Sequence, residues 1–330
     1  MKKIFALLLS AALLVTLLAA CGGGNTTDTD TDTQEPAADA STTQVEEQEP
    51  DTGDASKDDP LNQDEIGEKE LLVVSFGTSY NDSRRETIGA IEKAMQTAFP
   101  DYSVRRAFTS QIIIDHVKDR DGVTIDNVEQ ALERAVNNGV KTLVVQPTHL
   151  MNGLEYEELT DELAKYSDSF EKIAIGDPLL TSDADFEAVM TAITDATKDA
   201  ADGKTAICFM GHGTTADSNS VYSKMQTLLT VKGFNDYYVG TVEATPSLDD
   251  VLAAVQKGSY EKVILRPLMI VAGDHANNDM AGDEDDSWKS TFEKAGYTVD
   301  CQVEGLGQLE AIQQLFVEHA KAAIASAEAE

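Results

Sequence analysis

From residue 71 to the end of the chain, short apolar runs alternate with amphipathic stretches whose apolar residues recur at helical spacing. This alternation predicts parallel sheets with helices on both faces. The order occurs twice, which predicts two similar α/β lobes with a cleft between them, residues 71–200 and residues 201–330. The first lobe has predicted strands near 71–76, 103–108, 141–146 and 172–176, and helices near 83–98, 126–138 and 154–166. The second has predicted strands near 205–210, 237–242, 262–268 and 298–303, and helices near 217–230, 247–257, 286–295 and 308–327.

The two lobes can be overlaid on the ends of their strands. In the most informative match, a polar residue and a proline end the third strand of each lobe, and a glycine-containing loop follows. The second lobe then has metal-binding side chains where the first has mostly apolar ones, as a cleft for a flat ligand with a central metal would require. The overlay sets Phe76 opposite His212, Phe108 opposite Glu243, and Glu155 opposite His275.

His212, Glu243 and His275 each follow an apolar run that predicts a strand. Open α/β sheets bind ligands where parallel strands end, so these side chains are predicted to meet there. Two imidazoles and a carboxylate suit a borderline divalent cation. Glycines on both sides of His212 let the backbone turn sharply, and nearby carboxylates, among them Asp279, can hold the second ring nitrogen of His275.

Each of these residues also has an ordinary interpretation. His212 would then bond the backbone of a tight turn, Glu243 would point to water, and His275 would belong to an exposed polar loop. Glu155 is a candidate proton acceptor or second cation contact, but it also suits the first turn of a helix, where the helix dipole stabilises a carboxylate. Of the remaining histidines, His149 also follows a strand, but an ordinary role in a polar loop suits it at least as well. His116 and His319 are interpreted as surface or satisfied core histidines.

The N-terminus predicts an exported, lipid-anchored protein. Residues 1–21 combine two lysines, an apolar run and small residues before Cys21, which is typical of a lipoprotein signal peptide. Cleavage before Cys21 would leave a lipidated N-terminus, whereas an uncleaved anchor is the alternative. Residues 22–70 are acidic and have few large apolar side chains, so they predict a disordered tether. Both alternatives place the chain outside the cytoplasm of a bacterium, at the cell surface or in the periplasm.

The net charge of −34 argues against nucleic acid as a partner, because phosphate binding requires clustered lysine and arginine. An acidic surface favours cations, although a solvated acidic coat is the commoner meaning. The loop at Gly77 lacks the spacing of either nucleotide-binding fingerprint. Cys208 and Cys301 lie in different predicted strands, where two separate thiols are favoured over a disulfide. The oligomeric state is left open, and a homo-oligomer is compatible with the sequence.

At these residues the chain resembles the anaerobic cobalt chelatases, the sirohydrochlorin cobaltochelatase branch of the class II chelatases, from residue 71 to about residue 316. The likeness lies in residues 73–80, 106–110, 152–157, 209–213 and 267–276, and again in 286–289. The export leader is a departure, because members of this family that serve cobalamin biosynthesis generally work in the cytoplasm.

The resemblance implies the class II chelatase fold and an enzyme that inserts a divalent metal into sirohydrochlorin or a related tetrapyrrole. Co²⁺ is the expected metal, with Fe²⁺ or Ni²⁺ as alternatives. His212, Glu243 and His275 are the implied ligands, His212 also the proton acceptor, and Glu155 lies in the same cleft. The alternative is an exported lipoprotein that binds metal, a tetrapyrrole or haem for uptake without turnover. Four arginines are candidates to bind the carboxylates of the macrocycle, although surface ion pairs are their commoner role: Arg84, Arg85, Arg105 and Arg106.

Overall fold

Two four-stranded parallel sheets form the framework of residues 51–329, the part of the chain that the computed structural model describes. The strand orders are β2-β1-β3-β4 and β6-β5-β7-β8, so both sheets have the same topology. The predicted α/β fold class is confirmed. The strands are β1 (Lys69–Ser75), β2 (Ser103–Phe108), β3 (Thr142–Pro147), β4 (Lys172–Ile175), β5 (Thr205–Gly211), β6 (Tyr237–Thr241), β7 (Lys262–Pro267) and β8 (Thr298–Cys301).

In the described part of the chain, ten α-helices connect and cover the strands. Within residues 51–329, none of the helices has the length and apolar character needed to cross a membrane. The helices are α1 (Asn81–Glu86), α2 (Ile88–Ala98), α3 (Gln111–Asp121), α4 (Val128–Asn137), α5 (Leu154–Ala164), α6 (Asp183–Thr197), α7 (Ser220–Val231), α8 (Leu248–Val255), α9 (Trp288–Lys294) and α10 (Glu310–Ala329).

Two of these helices, α3 and α6, are absent from the sequence-based assignment. A local signal for α6 does exist in the sequence. The Ser182 hydroxyl accepts a hydrogen bond from the N–H of Asp185, and the Asp185 carboxylate accepts one from the N–H of Ser182. This reciprocal capping box satisfies two backbone donors that the first turn of a helix leaves free. The serine and acid three residues apart would therefore have located the start of α6.

Matching backbone contacts relate the two lobes and confirm two of the three overlaid pairs. Phe76 and His212 are the first residues after β1 and β5, the second strand in the order of each sheet. Glu155 and His275 each lie eight residues beyond the proline that ends β3 or β7. These prolines pair with Val74 of β1 and with the equivalent residue of β5. The first lobe therefore has an apolar residue where the second has His212.

The third overlaid pair is wrong by two residues. The N–H of Glu243 donates to the carbonyl of His212 (2.9 Å), and the N–H of Ser110 donates to the carbonyl of Phe76 (3.2 Å). Ser110, not Phe108, is therefore the counterpart of Glu243. Side chains alternate with a period of two along a strand, so a shift of two residues leaves the same sides facing inward and the hydrophobic pattern cannot detect it.

A continuous apolar core joins the two lobes. It includes Val73 of β1 and Phe209 of β5, and it extends to Phe316 of α10. Although α10 follows the second sheet in the chain, it packs on β3, β4 and α2 of the first lobe. Near its end, the ammonium of Lys172 in β4 donates to the carbonyl of Ala327 (2.8 Å). The last helix thus holds the end of the chain against the first sheet.

The predicted tether overlaps the folded unit. Residues 51–68 lie against the first lobe, and the leader, Cys21 and residues 22–50 lie outside the described residues. Leu61 is 7% exposed in the main core, and its carbonyl accepts a hydrogen bond from the N–H of Arg106 (3.1 Å). The carbonyl of Thr52 accepts one from the N–H of Asp82 (2.9 Å). Composition missed this packing because the partners lie far along the chain.

Candidate metal centre

His212 stands at the end of a fully buried strand, in a turn that requires both neighbouring glycines. A Cβ on Gly211 would lie 2.1 Å from the Tyr222 ring. Gly213 has a φ of +90°, and a Cβ there would lie 2.9 Å from Ala244. Close packing and a left-handed backbone therefore exclude larger side chains at both positions. The resulting turn leaves the imidazole exposed at the carboxyl edge of the sheet.

Glu243 is positioned by the neighbouring strand β6. Its backbone N–H bonds the His212 carbonyl as described above, and the N–H of Val242 donates to the carbonyl of Gly211 (2.9 Å). These two bonds continue the ladder between β5 and β6 past the last strand residues. The two loops are thereby held in fixed register, and the exposed Glu243 carboxylate lies beside His212.

His275 completes the group from the loop that follows β7. Its Nδ1 lies 2.8 Å from Oδ2 of Asp279. Between these two residues the backbone starts a short π-helix, Ala276–Met280, a wide turn that is frequent at functional sites. Ala276 and Met280 are buried and anchor this turn in the second lobe. The sequence-based expectation of a carboxylate next to His275 is therefore met by Asp279.

One ligand atom from each of His212, Glu243 and His275 lies within 4.8 Å of the other two. The two imidazole rings meet edge to face, with centroids 4.7 Å apart. The Nδ1 of His212 lies 2.8 Å from the carbonyl of Gly213 and the Nδ1 of His275 lies beside Asp279, so both rings carry Nδ1–H as a donor. Each Nε2 then keeps a free lone pair, which is the form that binds a metal.

Glu155 lies in the other lobe, in the first turn of α5. Desolvation by the surrounding protein raises the pKa of its carboxyl above the ordinary value, and charge on His212 opposes this effect. A carboxylate whose pKa is raised in this way is a stronger base than an ordinary glutamate and is suited to accept a proton.

His149, for which the sequence favoured no special role, is buried next to Glu155. Its side chain is 6% exposed, and its Nε2 lies 3.6 Å from Oε2 of Glu155. Burial lowers the pKa of His149 to about 4, so the ring is neutral near pH 7. A sequence signal was present, because His149 follows a buried strand of the same sheet, but nothing in the sequence distinguished it from a loop residue.

Arg84 and Arg106 are not available to a substrate, which corrects the expectation for both. Arg84 Nε lies 2.6 Å from Oδ2 of Asp58, and Arg106 Nη1 lies 2.7 Å from the same atom. Arg106 also pairs with the buried carboxylate of Glu92 (2.6 Å). Burial favours a higher pKa for Asp58, but the hydrogen bonds and charges of the two arginines lower it on balance. These four ionic groups form one buried network of ion pairs inside the first lobe.

Arg105 is likewise buried, so its predicted contact with substrate is wrong. Its guanidinium lies 3.0 Å from Asp126 and 3.4 Å from Glu70. Desolvation raises the pKa of Glu70 to about 7 despite the opposing charge of Arg105. Arg85 is partly exposed and paired with Asp82, so its contact with a substrate stays a prediction. Strand arginines buried by pairing with distant acids cannot be recognised from local sequence.

Exposed apolar side chains follow strands of the first sheet, at the edge where the overlay of the lobes predicts mostly apolar residues. Of these, sequence reasoning singled out Phe76 but not Ile112 or Leu154. Phe76 follows β1 and is 47% exposed, Ile112 follows β2, and Leu154 precedes Glu155 and is 58% exposed. Residues 51–329 have five exposed large apolar side chains, and three of them lie here. Concentrated exposure of this kind is typical of a binding surface.

Cys208 and Cys301 are free thiols, as the sequence favoured. Both pair with Leu265, one from each side, because β7 lies between β5 and β8. Their Cα atoms are therefore separated by two strand spacings, about 9.5 Å, which exceeds the reach of a disulfide. The other histidines lie elsewhere: His116 is exposed on α3, and His319 of α10 bonds Asp185 (3.0 Å).

Comparison with known proteins identifies the family. The model of the cobalt chelatase (CbiK) family matches residues 69–325. The chain belongs to the cobalt chelatase family. It is 38% identical over 251 residues to the sirohydrochlorin cobaltochelatase of Salmonella typhimurium, an alignment that covers 76% of this chain and 94% of that protein. It is 30% identical over 261 residues to the sirohydrochlorin cobaltochelatase CbiKC of Nitratidesulfovibrio vulgaris, covering 78% and 91%.

Among solved structures, the chain is similar to SirB from Bacillus subtilis with Fe³⁺, with a TM-score of 0.57, 14% sequence identity and coverage of 80% of this chain and 98% of that chain. At this identity the likeness concerns the fold alone, and it confirms the predicted class II chelatase architecture. The family also confirms the prediction of an enzyme of the chelatase class.

Proposed function

We propose that this protein inserts Co²⁺ into sirohydrochlorin. The observation with the most weight is the convergence of one ligand atom from each of His212, Glu243 and His275 within 4.8 Å, in a chain of the cobalt chelatase family. Relatives that are 30–38% identical over most of their length bear the name sirohydrochlorin cobaltochelatase. Both the donor set and the family support the same metal chemistry.

In the proposed mechanism, the two imidazole nitrogens and the Glu243 carboxylate replace part of the water shell of the incoming ion. Three protein ligands leave further coordination positions open, so the macrocycle nitrogens can bind the metal before the protein releases it. Fe²⁺ and Ni²⁺ are alternative metals, because imidazole and carboxylate ligands bind all these ions in the usual order of affinity.

Metal insertion releases two protons, because the two N–H groups of the macrocycle become metal-bound nitrogens. His212 is the proposed acceptor of one proton. Its Nε2 cannot bind metal and proton together, so it accepts the proton once the metal has moved to the ring. Glu155, held on the opposite lobe with a raised pKa, is the proposed acceptor of the other. General-base assistance of this kind typically contributes about 10²–10⁴-fold.

The exposed apolar edge at Phe76 and Leu154 is the proposed support for one face of the macrocycle. A flat aromatic ring placed there would remove both side chains from water while its centre meets the metal-binding side chains of the second lobe. Arg85 is the one proposed arginine that is still accessible to a peripheral carboxylate of the ring.

We place this activity outside the cytoplasm, on a bacterial membrane to which a lipid on Cys21 anchors the chain. The leader sequence supports this location. It also favours the rival function, an exported lipoprotein that captures metal or a finished tetrapyrrole without turnover. Glu155 favours catalysis, because a carrier of a finished tetrapyrrole needs an axial ligand but no proton acceptor.

The decisive experiment follows the absorbance of sirohydrochlorin with Co²⁺ and the purified protein, in parallel with His212→Ala. We expect the wild-type protein to exceed the spontaneous insertion rate and His212→Ala to lose most of the difference. His116→Ala is the matched control, because it removes an exposed histidine of α3 and should keep the wild-type rate. If wild type and His212→Ala both insert metal only at the spontaneous rate, the enzyme function is rejected in favour of the carrier.

A further inference from the structure

His149 is a buried histidine without a hydrogen-bond partner. Among the described residues, neither ring nitrogen has a partner within hydrogen-bond distance. The Oε2 of Glu155 lies 3.6 Å from Nε2, just beyond that distance. Buried polar atoms that lack partners cost free energy of folding and are rare in native proteins. The position therefore requires an explanation beyond packing.

The fold does not need a histidine at this position, as the second lobe shows. The counterpart of His149 is Met269, two residues beyond the proline that ends β7. The carbonyl of His149 accepts from the N–H of Leu179 (2.9 Å), and the carbonyl of Met269 accepts from the N–H of Leu306 (2.8 Å). Met269 packs in an apolar cluster. The same backbone position thus accepts an apolar side chain.

We propose that His149 is a positioning residue for Glu155, whose carboxylate it orients toward the metal centre by donating Nε2–H to Oε2. This inference rests on the proposed function, in which Glu155 accepts a proton from the macrocycle. The bond leaves Oε1 as the atom that faces the substrate. A donor to the charged carboxylate also keeps Glu155 ionised and ready to accept a proton.

The geometry requires only a small adjustment. Shortening 3.6 Å to an ordinary hydrogen bond needs a movement of about 0.7 Å. Glu155 is free to move, because its side chain is 48% exposed in the first turn of α5. His149 is fixed by burial. Because burial also keeps the ring neutral, it offers one N–H and does not compete with Glu155 for the proton.

The test compares His149→Met with His149→Gln in the full chain. Methionine reproduces the residue of the second lobe and removes the donor, whereas the glutamine amide places an N–H close to the position of Nε2. We expect His149→Met to lower kcat for Co²⁺ insertion roughly 10- to 100-fold, as a misplaced catalytic group does. The KM for sirohydrochlorin and the Kd for Co²⁺ should stay within error, and the Tm of His149→Met should not fall, because methionine replaces an unpartnered buried imidazole. His149→Gln should recover kcat to within about threefold.

A second measurement does not depend on turnover. The infrared carboxylate band of Glu155, assigned by subtracting the spectrum of Glu155→Gln, should shift in His149→Met and return in His149→Gln. If kcat and this band are the same in His149→Met as in wild type, or if both variants lose kcat equally, the positioning role is rejected. If the wild-type protein itself fails to insert metal, the proposed function fails, and the infrared band alone still decides whether His149 orients Glu155.

Discussion

The Nδ1 of His275, the residue before the short π-helix Ala276–Met280, lies 2.8 Å from Oδ2 of Asp279 within that helix. This bond fixes which nitrogen of His275 carries the proton and how the ring is oriented. Carboxylates that support a metal-binding histidine in this way typically contribute about 10- to 100-fold in metal affinity. Asp279 is therefore expected to act on the metal through His275.

Asp279→Ala should weaken the binding of Co²⁺ by roughly 10- to 100-fold, because His275 loses the acceptor that holds its tautomer. Isothermal titration with Co²⁺ measures this change. The control is Asp283→Ala, which removes an equal charge from the same region at an exposed acid that pairs with Lys289. Equal losses in the two variants would mean that overall charge, rather than the bond to His275, governs affinity.

Glu155→Gln should lower kcat by about 10²–10³-fold and leave the Kd for Co²⁺ unchanged, because the amide cannot accept a proton.

In the wild type the base must be ionised, so the rate should fall as the pH drops through the pKa of Glu155. Desolvation raises this pKa. The rate should therefore decline at a pH above about 4.3, the ordinary pKa of glutamate. The pH dependence of kcat/KM measures it, and the acidic decline should disappear in Glu155→Gln. An unchanged profile in that variant would assign the decline to another group.

Phe76→Ala should raise the KM for sirohydrochlorin by about 5- to 30-fold, since it removes apolar surface of the kind that a ring face would cover, worth roughly 1–2 kcal/mol. The Kd for Co²⁺ should not change. Steady-state kinetics at saturating Co²⁺ provide the measurement. Val231→Ala is the control, because Val231 is the last residue of α7, is 76% exposed and is not among the residues placed at the cleft. A KM that responds equally to both substitutions would contradict a specific apolar support.

Asp58→Ala should lower the free energy of unfolding by about 3–5 kcal/mol, because the buried guanidiniums of Arg84 and Arg106 lose the carboxylate that both of them pair with. Asp64→Ala, which removes an exposed partner of Arg134, should cost less than about 1 kcal/mol. Urea denaturation of both variants makes the comparison. A loss at Asp58 no larger than at Asp64 would show that residues 51–68 contribute little to the folded unit.

The strand pattern was sufficient to predict both sheets, because parallel buried strands have long apolar runs and polar residues at their ends. It also placed His212, Glu243 and His275 together, since the carboxyl ends of parallel strands share one edge. The two-residue error at Phe108 arose because strand periodicity does not distinguish such a shift.

Partners that are distant in the sequence account for the other errors. Arg105 and Arg106 lie in β2, where a charged residue would ordinarily suggest an exposed face, yet each is buried beside acids from other elements. Asp58 and Leu61 lie in a stretch too polar to fold alone, and they become ordered by contacts with the first lobe. The role of a residue such as His149 depends on a neighbour that only the folded chain supplies.

The return of α10 to the first sheet determines how the halves of this protein can be exchanged with those of relatives. A chimera cut between residues 200 and 201 would join the first sheet to a foreign terminal helix, and the surface that Phe316 fills would meet side chains selected for another partner. An exchange that respects the packing takes residues 51–200 and Glu310–Ala329 together and replaces only the segment between them. The second lobe is thus a segment inserted between the two parts of the chain that build the first lobe.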